Sequence, residues 1–489
     1  MIDILFGQSY YLRFDPKLWA AMQPYPPLGT LYAASAMRAS GHTVALFDAM
    51  LAHSEDDWAA ALDLHQPRFA VLYEDNFNYL SKMCLLRMRA AAHTMCRMAR
   101  ERGCVVIVGG ADATDHADLY LQQGADYVLI GEGEQTLTEL LAALNGAGTR
   151  SVPAPYLNSI LGLAWLGGRT PRRPDITRLD ALPFPAWDLV EVSRYRAIWR
   201  VRHGYYSMNM VTTRGCPYHC NWCAKPIWGQ RYNSRSPENV VAELQWLKQT
   251  YQPDHIWFAD DILGLKPHWL ERFAQLVTEH DCAVPFKCLL RADLVKPSLV
   301  AALQQAKCCT VWLGAESGSQ RVLDAMEKGT TVAEIHSATR LLQAAGIQVG
   351  FFLQFGYPGE TRAEVEQTLQ LVREALPDDV GISVSYPLPG TKFYERVRLE
   401  LGEKTNWLDS NDLAMLYRGP FPQEFYRVLH TVVHREFRMR RAWRVLGAAL
   451  RRPTTLRPAH LKRAASIPYH WAGWQVNRRR LNRLAETAQ

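Results

Sequence analysis

The sequence predicts an α/β chain in three parts: a doubly wound parallel sheet, a partial (β/α)6 TIM-type barrel open on one side, and a basic, mainly helical end. Three observations carry this. Short β-rich runs alternate with helical patterns from residue 1 to about 145, six further β/α units follow from Ser207, and the alternation stops after Arg396. A chain of 489 residues is too long for one ordinary core. The divisions fall at 1–145, a linker over 146–205, 206–397 for the barrel, and 398–489 for the C-terminal part.

In the first part the runs are Ile2 to Phe6, Thr43 to Phe47, Phe69 to Tyr73, Val105 to Val108 and Tyr127 to Ile130. Leu28 to Ser40 has helical periodicity and stops at Gly41, a good C-terminal cap. A longer helical pattern runs from about Leu80 to Arg102, with Met83, Met88, Met95 and Met98 as core filler. Five such units make a flavodoxin-like, Rossmann-like domain whose ligands bind beyond the carboxyl ends of the strands. The loops there are Gln8 to Tyr11, Glu74 to Tyr79, Gly109-Gly110-Ala111-Asp112 and Gly131-Glu132-Gly133-Glu134. Their glycines let a bulky ligand approach the backbone, although such turns need glycine anyway. No GxGxxG follows the first strand and no Walker A lysine is present, so a nucleotide has little support here.

From about Gly146 to Arg202 six prolines break the pattern, and a short sheet of its own is expected around Ile160 to Trp165. The barrel strands are Ser207 to Thr212, His255 to Phe258, Phe286 to Leu290, Thr310 to Leu313, Val349 to Phe355 and Gly381 to Ser385. Ser236-Pro237 opens the first helix and Gly346 ends the one from Ala333 to Ala345. In barrels chemistry sits at the carboxyl ends of the strands. Asp260-Asp261, Arg291, Glu316-Ser317, Gly356-Tyr357-Pro358-Gly359 and Pro387-Leu388-Pro389-Gly390 lie there. The two aspartates can accept hydrogen bonds from an ammonium group or cap the next helix. The last two turns offer backbone that can pair with an adenine edge, or are ordinary turn chemistry.

The first barrel strand leads into Arg214-Gly215-Cys216-Pro217-Tyr218-His219-Cys220-Asn221-Trp222-Cys223. Three thiolates in a CxxxCxxC array point to a shared soft metal centre. A closed zinc site wants four ligands, and no fourth Cys or well-placed His follows at that spacing. Three cysteines suit a 4Fe-4S cluster with one open iron, which makes Cys216, Cys220 and Cys223 the metal ligands and catalytic residues. Ten cysteines in a chain without a basic n-region at its start read as thiols or ligands of a cytoplasmic protein, and the other seven as structural thiols.

The array, with an aromatic residue before its last cysteine, resembles the signature of radical S-adenosylmethionine (SAM) enzymes. The order Pro26-Pro27-Leu28-Gly29, Gly41-His42-Thr43-Val44, Val108-Gly109-Gly110, Gly131-Glu132-Gly133-Glu134 resembles the cobalamin-binding domain fused ahead of many of them. That resemblance implies SAM contacts at Asp260, Asp261, Glu316, Ser317, Gly356 and Pro387. It implies cobalamin contacts at Gly109, Gly110, Gly131, Glu132 and Gly133. No DxHxxG is present, since His42 and His116 lack that context, so the lower face of cobalamin should meet Asp75-Asn76-Phe77-Asn78-Tyr79, with Asn76 and Phe77 as candidates. The implied chemistry is reductive cleavage of SAM to a 5′-deoxyadenosyl radical and modification of an unactivated carbon, first by C-methylation through methylcobalamin. Oxidative cyclisation or rearrangement, as in the anaerobic cyclase of bacteriochlorophyll synthesis, is the alternative within enzymes. A cobalamin or cluster-binding sensor is the alternative from another class. An electron donor such as flavodoxin or ferredoxin and a small organic substrate are the expected partners.

The net charge of +7 is uneven. From Arg435 onward 14 Lys and Arg face only Glu436 and Glu486, an excess of +12. A helix is expected to start at Trp407–Leu413 and another to run from about Gln423 to Leu450. Its arginines form a solvated face, a patch for anionic lipid and so a peripheral membrane contact, or a wall attracting an anionic substrate. Tyr469, Trp471 and Trp474 before Arg478-Arg479-Arg480 keep a nucleic-acid role open, although it is not the expected one. No apolar run reaches the roughly 18 residues that span a bilayer.

Overall fold

The computed structural model describes residues 2–78, 85–147, 152–223, 227–404, 406–451 and 464–486. The first sheet has seven strands in the order β2-β1-β3-β4-β5-β6-β7. They are β1 (Ile4–Gly7), β2 (Val44–Leu46), β3 (Phe69–Tyr73), β4 (Val105–Gly109), β5 (Tyr127–Leu129), β6 (Leu163–Trp165) and β7 (Gly168–Arg169). β1 to β5 are parallel, and β1, β3, β4 and β5 are buried along their whole length, as strands covered on both faces must be. Because β1 lies between β2 and β3, the chain reverses its direction of travel there, and a crevice opens beyond the carboxyl ends of β1 and β3.

The helix after β1 spans Leu28–Ala39 and Gly41 follows it with φ 88°, the left-handed turn expected of it. The helix after β3 is described from Leu86 to Glu101; its expected start at Leu80, with Met83, lies outside the described residues. The sheet expected around Ile160 to Trp165 is not separate. β6 pairs antiparallel with β5, Leu129 against Leu163, and so extends the first sheet over its edge.

The second sheet is β15-β14-β13-β12-β11-β8, every pair parallel. Its strands are β8 (Ser207–Met210), β11 (His255–Phe258), β12 (Phe286–Leu290), β13 (Cys308–Glu316), β14 (Gln348–Phe355) and β15 (Asp379–Val384); β8 and β15 are its unjoined edges. Between β8 and β11, β9 (Thr213–Arg214) and β10 (Asn233–Ser234) form a small antiparallel pair that brackets the cysteine loop. Ser236 caps the first barrel helix by accepting from Asn239 N, and Thr331 and Thr361 each close a capping box with the glutamate three residues on. Met208, Met210, Ile256, Phe258, Phe286 and Cys288 pack toward the helices, so the alternate residues face the concave side. There Tyr25, from the segment before the first long helix, hydrogen-bonds Ser207 Oγ (2.9 Å) and packs on Trp257 (4.8 Å between rings). Asn209 Nδ2 donates to the carbonyl of Pro26 at 3.0 Å. The first domain thus inserts a short segment into the barrel.

Trp407–Leu413 is not the start of a helix. Trp407 is buried against Tyr386 (4.5 Å) and its Nε1 donates to Ala414 O, while Asp409 and Asp412 accept from the backbone N–H of Asn411 and Leu408. Short acidic side chains that bind nearby N–H groups compete with helix, and here the turns win. The helix Gln423–Arg451 follows, and Ile467–Glu486 packs against it head to tail, with Glu436 beside Trp474 and Glu424 beside Arg480. One apolar cluster runs from Leu28 and Tyr32 through Trp187 and Trp199, across the barrel helices, to Val432 and Leu481.

Candidate active site

The cysteine loop is held from both ends. At its entry, Asp260 at the end of β11 accepts from Thr212 N (2.7 Å), Thr212 Oγ1 (2.8 Å) and Thr213 N (2.8 Å). Burial pushes its carboxyl up to about 6. Gly215 has φ 82°, and a side chain there would strike the carbonyl of Arg231, so only glycine turns the chain into Cys216. At its far end Asn221 carries the load. Its N–H donates to Met326 O (3.0 Å), its amide to Ala325 O (2.8 Å), its carbonyl oxygen takes Phe393 N–H (3.0 Å), and its Oδ1 takes the Tyr357 hydroxyl (3.1 Å). Cys220 is buried and Cys216 and Cys223 are half-buried. His219 is exposed, while Trp222 packs beside the Tyr357 and Phe393 cluster.

Among the described residues no three His, Cys, Asp or Glu converge where a single ion would sit. A cluster asks less, because each thiolate takes a different iron. The surroundings suit anionic sulfur. Arg291 Nη1 lies 3.9 Å from Cys220 Sγ, with its guanidinium over the Tyr218 ring at 3.5 Å, and it is braced by Asp293 and Gly329 O. Lys328, buried beside it, pairs with Glu316 at 2.9 Å. Burial lowers that ammonium, but Glu316 and Cys220 outweigh it and hold Lys328 above its ordinary range. Three cysteine thiols on one loop, with two cations beside Cys220, are a donor set that a 4Fe-4S cluster fits. The remaining cysteines that the structure describes are buried or half-buried thiols.

Of the expected SAM contacts, Glu316 sits at the end of β13 at φ 60° beside the cysteine loop, with Lys328. Ser317 is tied inward to Thr368 Oγ1 (3.1 Å) and Ser319 N (3.1 Å). Asp261 is half-buried next to the engaged Asp260. Gly356 donates its N–H to Glu360 (2.6 Å), its carbonyl takes the Tyr417 hydroxyl, and Met415 and Tyr426 cover it. Pro387 is buried at the start of the turn that Thr391 closes onto Leu388 O (2.8 Å). Arg214, Asn221, Tyr357 and Lys328 were not singled out by sequence. Arg214 and Asn221 lay within the quoted array and Tyr357 within a quoted turn, while Lys328 carried no signal.

On the first domain's side, a shallow, half-open cleft lies between the domains, lined by Tyr73, Asn76, Phe77, Glu132, Arg214 and Trp228, among others. Asp75 Oδ1 accepts from Gly29 N (2.9 Å) and Phe77 N (3.1 Å), which turns Asn76 and Phe77 into the cavity. Asn76 is buried, with no hydrogen-bond partner for Oδ1 among the described residues. Phe77 stacks on Trp228 (5.1 Å, 26°). An unpaired acceptor beside a flat aromatic floor suits a macrocycle whose side chains are amide donors, as those of cobalamin are. The cavity is small for a whole corrinoid, so these residues would hold one face of it. Tyr79 lies outside the described residues. At Gly110 and Gly133 the space of a side chain is taken by Glu74 and Tyr73, so internal packing already demands glycine there, and at Gly109 it would press on Leu129. Gly131, at φ 81°, lies beside Arg172.

Glu132 and Glu134 reach across the junction. Arg214 Nη1 donates to Glu132 Oε1 (2.8 Å) and Nη2 to Glu134 Oε1 (2.7 Å), and Trp228 Nε1 also donates to Glu132 Oε1 (2.9 Å). The corrinoid-side loop and the cysteine loop therefore share one buried ion network.

The family described as "Radical SAM superfamily" matches residues 210–372, and that described as "B12 binding domain" matches residues 20–141. An uncharacterised methyltransferase of Pyrococcus horikoshii is 28% identical over 384 residues, 76% of this chain and 78% of that protein. The anaerobic magnesium-protoporphyrin IX monomethyl ester cyclase of Rubrivivax gelatinosus is 25% identical over 399 residues, 79% of this chain and 68% of that protein. The radical SAM methyltransferase TsrM of Kitasatospora setae, solved with cobalamin and a [4Fe-4S] cluster bound, superposes with a TM-score of 0.66 at 18% identity, covering 81% of this chain and 77% of that one. No described helix is long and apolar enough to cross a membrane. A B12-binding domain and a radical SAM domain, joined at Arg214, place this chain among the cobalamin-dependent radical S-adenosylmethionine enzymes.

Proposed function

We propose that this enzyme methylates an unactivated carbon of an organic substrate. The observation that carries the reading is the shared wall: Arg214 lines the corrinoid-side cavity and stands two residues before Cys216, so a methyl carrier and a radical source would face one reaction space. With a 4Fe-4S cluster, SAM and cobalamin bound, the site supplies reductive cleavage of SAM, hydrogen abstraction and a transferable methyl group. In this reading Cys216, Cys220 and Cys223 hold the cluster, and Arg291 and Lys328 balance its charge. Glu316 and Asp261 would meet SAM directly, with Ser317, Gly356 and Pro387 shaping the strand ends around it and Asp260 setting the loop rather than touching ligand. Asn76 and Phe77 would hold the lower side of the corrinoid, helped by Gly131, Glu132 and Gly133, with Gly109 and Gly110 keeping the neighbouring turn tight.

The substrate side is the concave face of the barrel. Trp312 and Phe352 stack there at 4.7 Å, and Phe352 stays 39% exposed in the interior of the sheet. An apolar or planar substrate fits such a wall. A flavodoxin or ferredoxin would supply electrons. The exposed Trp443, Tyr469 and Trp471 among arginines of the last two helices form a surface for peripheral contact with anionic lipid. Similarity to the cyclase favours non-methylating cyclisation as the second reading.

The test is anaerobic purification from cobalamin-fed cells, with iron and cobalamin measured on one sample, followed by product mass. About four irons with one cobalamin per chain, and a product heavier by one CH2 with S-adenosylhomocysteine formed, is the expected result. Both cofactors with 5′-deoxyadenosine but no methyl gain would move the enzyme to cyclisation or rearrangement. Iron without cobalamin after reconstitution would overturn the methylation reading.

A further inference from the structure

We infer that Arg214 couples the two cofactor sites, so that corrinoid binding in the first domain and cluster assembly on the cysteine loop each favour the other. This rests on the function proposed above and assigns a positioning role to a residue that touches neither reacting atom.

The arrangement is poor as plain glue. The domains already share an apolar cluster containing Trp187, Tyr195 and Trp199. A buried ion network in such a place seldom adds stability over an apolar substitute of the same shape. Here one guanidinium faces two carboxylates, all three out of water, with side-chain exposures of 4%, 3% and 6%. What such a network does supply is a fixed geometry, because a guanidinium that bridges two carboxylates tolerates little rotation.

Both ends of that geometry are tied to a cofactor site. On the first domain's side, Glu132 also holds Trp228 Nε1 (2.9 Å), Trp228 stacks on Phe77, and its Oε2 takes Ile176 N–H. Arg214 lies 5.7 Å from the Phe77 ring centroid and 5.6 Å from that of Tyr32. A ligand that presses on Phe77 or meets Glu132 therefore meets this network. On the other side there is no slack between Arg214 and Cys216. Thr212 and Thr213 are clamped by Asp260, Arg214 pairs with Asn233 in a two-residue ladder, and Gly215 abuts the Arg231 carbonyl. In the coupling we infer, strain at the guanidinium passes to the first cysteine through this short, tightly held backbone. By linkage, whatever one site gains from this the other must gain equally.

The test titrates hydroxocobalamin into the full chain, cluster-loaded and chelator-stripped, by visible absorbance. The wild type should bind at least about fivefold more tightly when loaded, and bound hydroxocobalamin should protect iron against a chelator by a similar factor. Arg214→Lys keeps the charge but cannot bridge both carboxylates, and Glu134→Gln removes one of them while keeping its shape. Each should bring the ratio close to one, whatever it does to the affinity of the stripped protein. If Arg214→Lys fails to fold by circular dichroism, Glu134→Gln decides alone. Variants that keep the wild-type ratio, or a wild type with a ratio of one, overturn the coupling and leave the proposed function standing. A wild type that binds no hydroxocobalamin in either state overturns both.

Discussion

Asn221 sits inside the cysteine array, yet its contacts run outward to Ala325, Met326, Tyr357 and Phe393. Asn221→Ala should cost about 1 kcal/mol of stability and release iron faster under chelator challenge, with far-ultraviolet dichroism unchanged. Cys216→Ala should abolish 5′-deoxyadenosine formation and lower bound iron; under the sensor alternative it would leave cobalamin binding as the whole activity. Asp260 gives a pH signature. Burial raises it from 3.8 to about 6, so its contribution to stability is fully present below about pH 4 and is lost as pH rises through about 6. Asp260→Asn should therefore flatten the fall in denaturant midpoint between pH 4.5 and 7.5, by roughly 2–3 kcal/mol in unfolding free energy. At this scale the sequence was legible where chemistry is dense, as in the three cysteines. Lys328 was silent because a lone lysine after a helix says nothing until folding brings it beside Glu316, and Tyr357, though in a quoted turn, showed no tie to Asn221.

Strands were read to within a residue or two wherever they are buried on both faces, because Val-rich runs bounded by glycine leave few options. The failures share a cause. β6 looked independent because antiparallel edge pairing leaves no mark in local composition, and Trp407–Leu413 looked helical because an Asp-Ser-Asn-Asp run serves turns as well as caps. The basic tail was ambiguous for a similar reason: its partners are distant. Glu436 receives Arg373 Nε (2.6 Å), Arg440 Nε (2.9 Å) and Trp474 Nε1 (3.2 Å), and Arg444 reaches Asp378. Glu436 thus ties the helix Gln423–Arg451 to Arg373 of the helix Arg362–Ala375, and Arg444 ties it to Asp378 just beyond. Glu436→Ala leaves those donors without an acceptor and should cost on the order of 2 kcal/mol. Limited proteolysis should then release the C-terminal helices early, with iron content unchanged.

For the molecule as a whole, one apolar cluster joins the first domain, the barrel and the final helices. Calorimetry should accordingly show one heat-capacity peak for the cofactor-free chain; two separated peaks would mean that the junction is weaker than its packing implies. The order of domains and the open six-stranded barrel were readable from periodicity, whereas the junction was not, since no local pattern announces that Tyr25 will lie against Trp257. That insertion bears on how the protein is made. Tyr25 leaves the ribosome before Ser207, Trp257 and the rest of its seat exist. At about 5–20 residues per second the delay to Trp257 is roughly 10–50 s. During that interval the Gln23–Pro27 segment is an uncovered, proline-stiffened apolar strip on an otherwise finished domain. Synthesis of the barrel is therefore also the step that covers this strip.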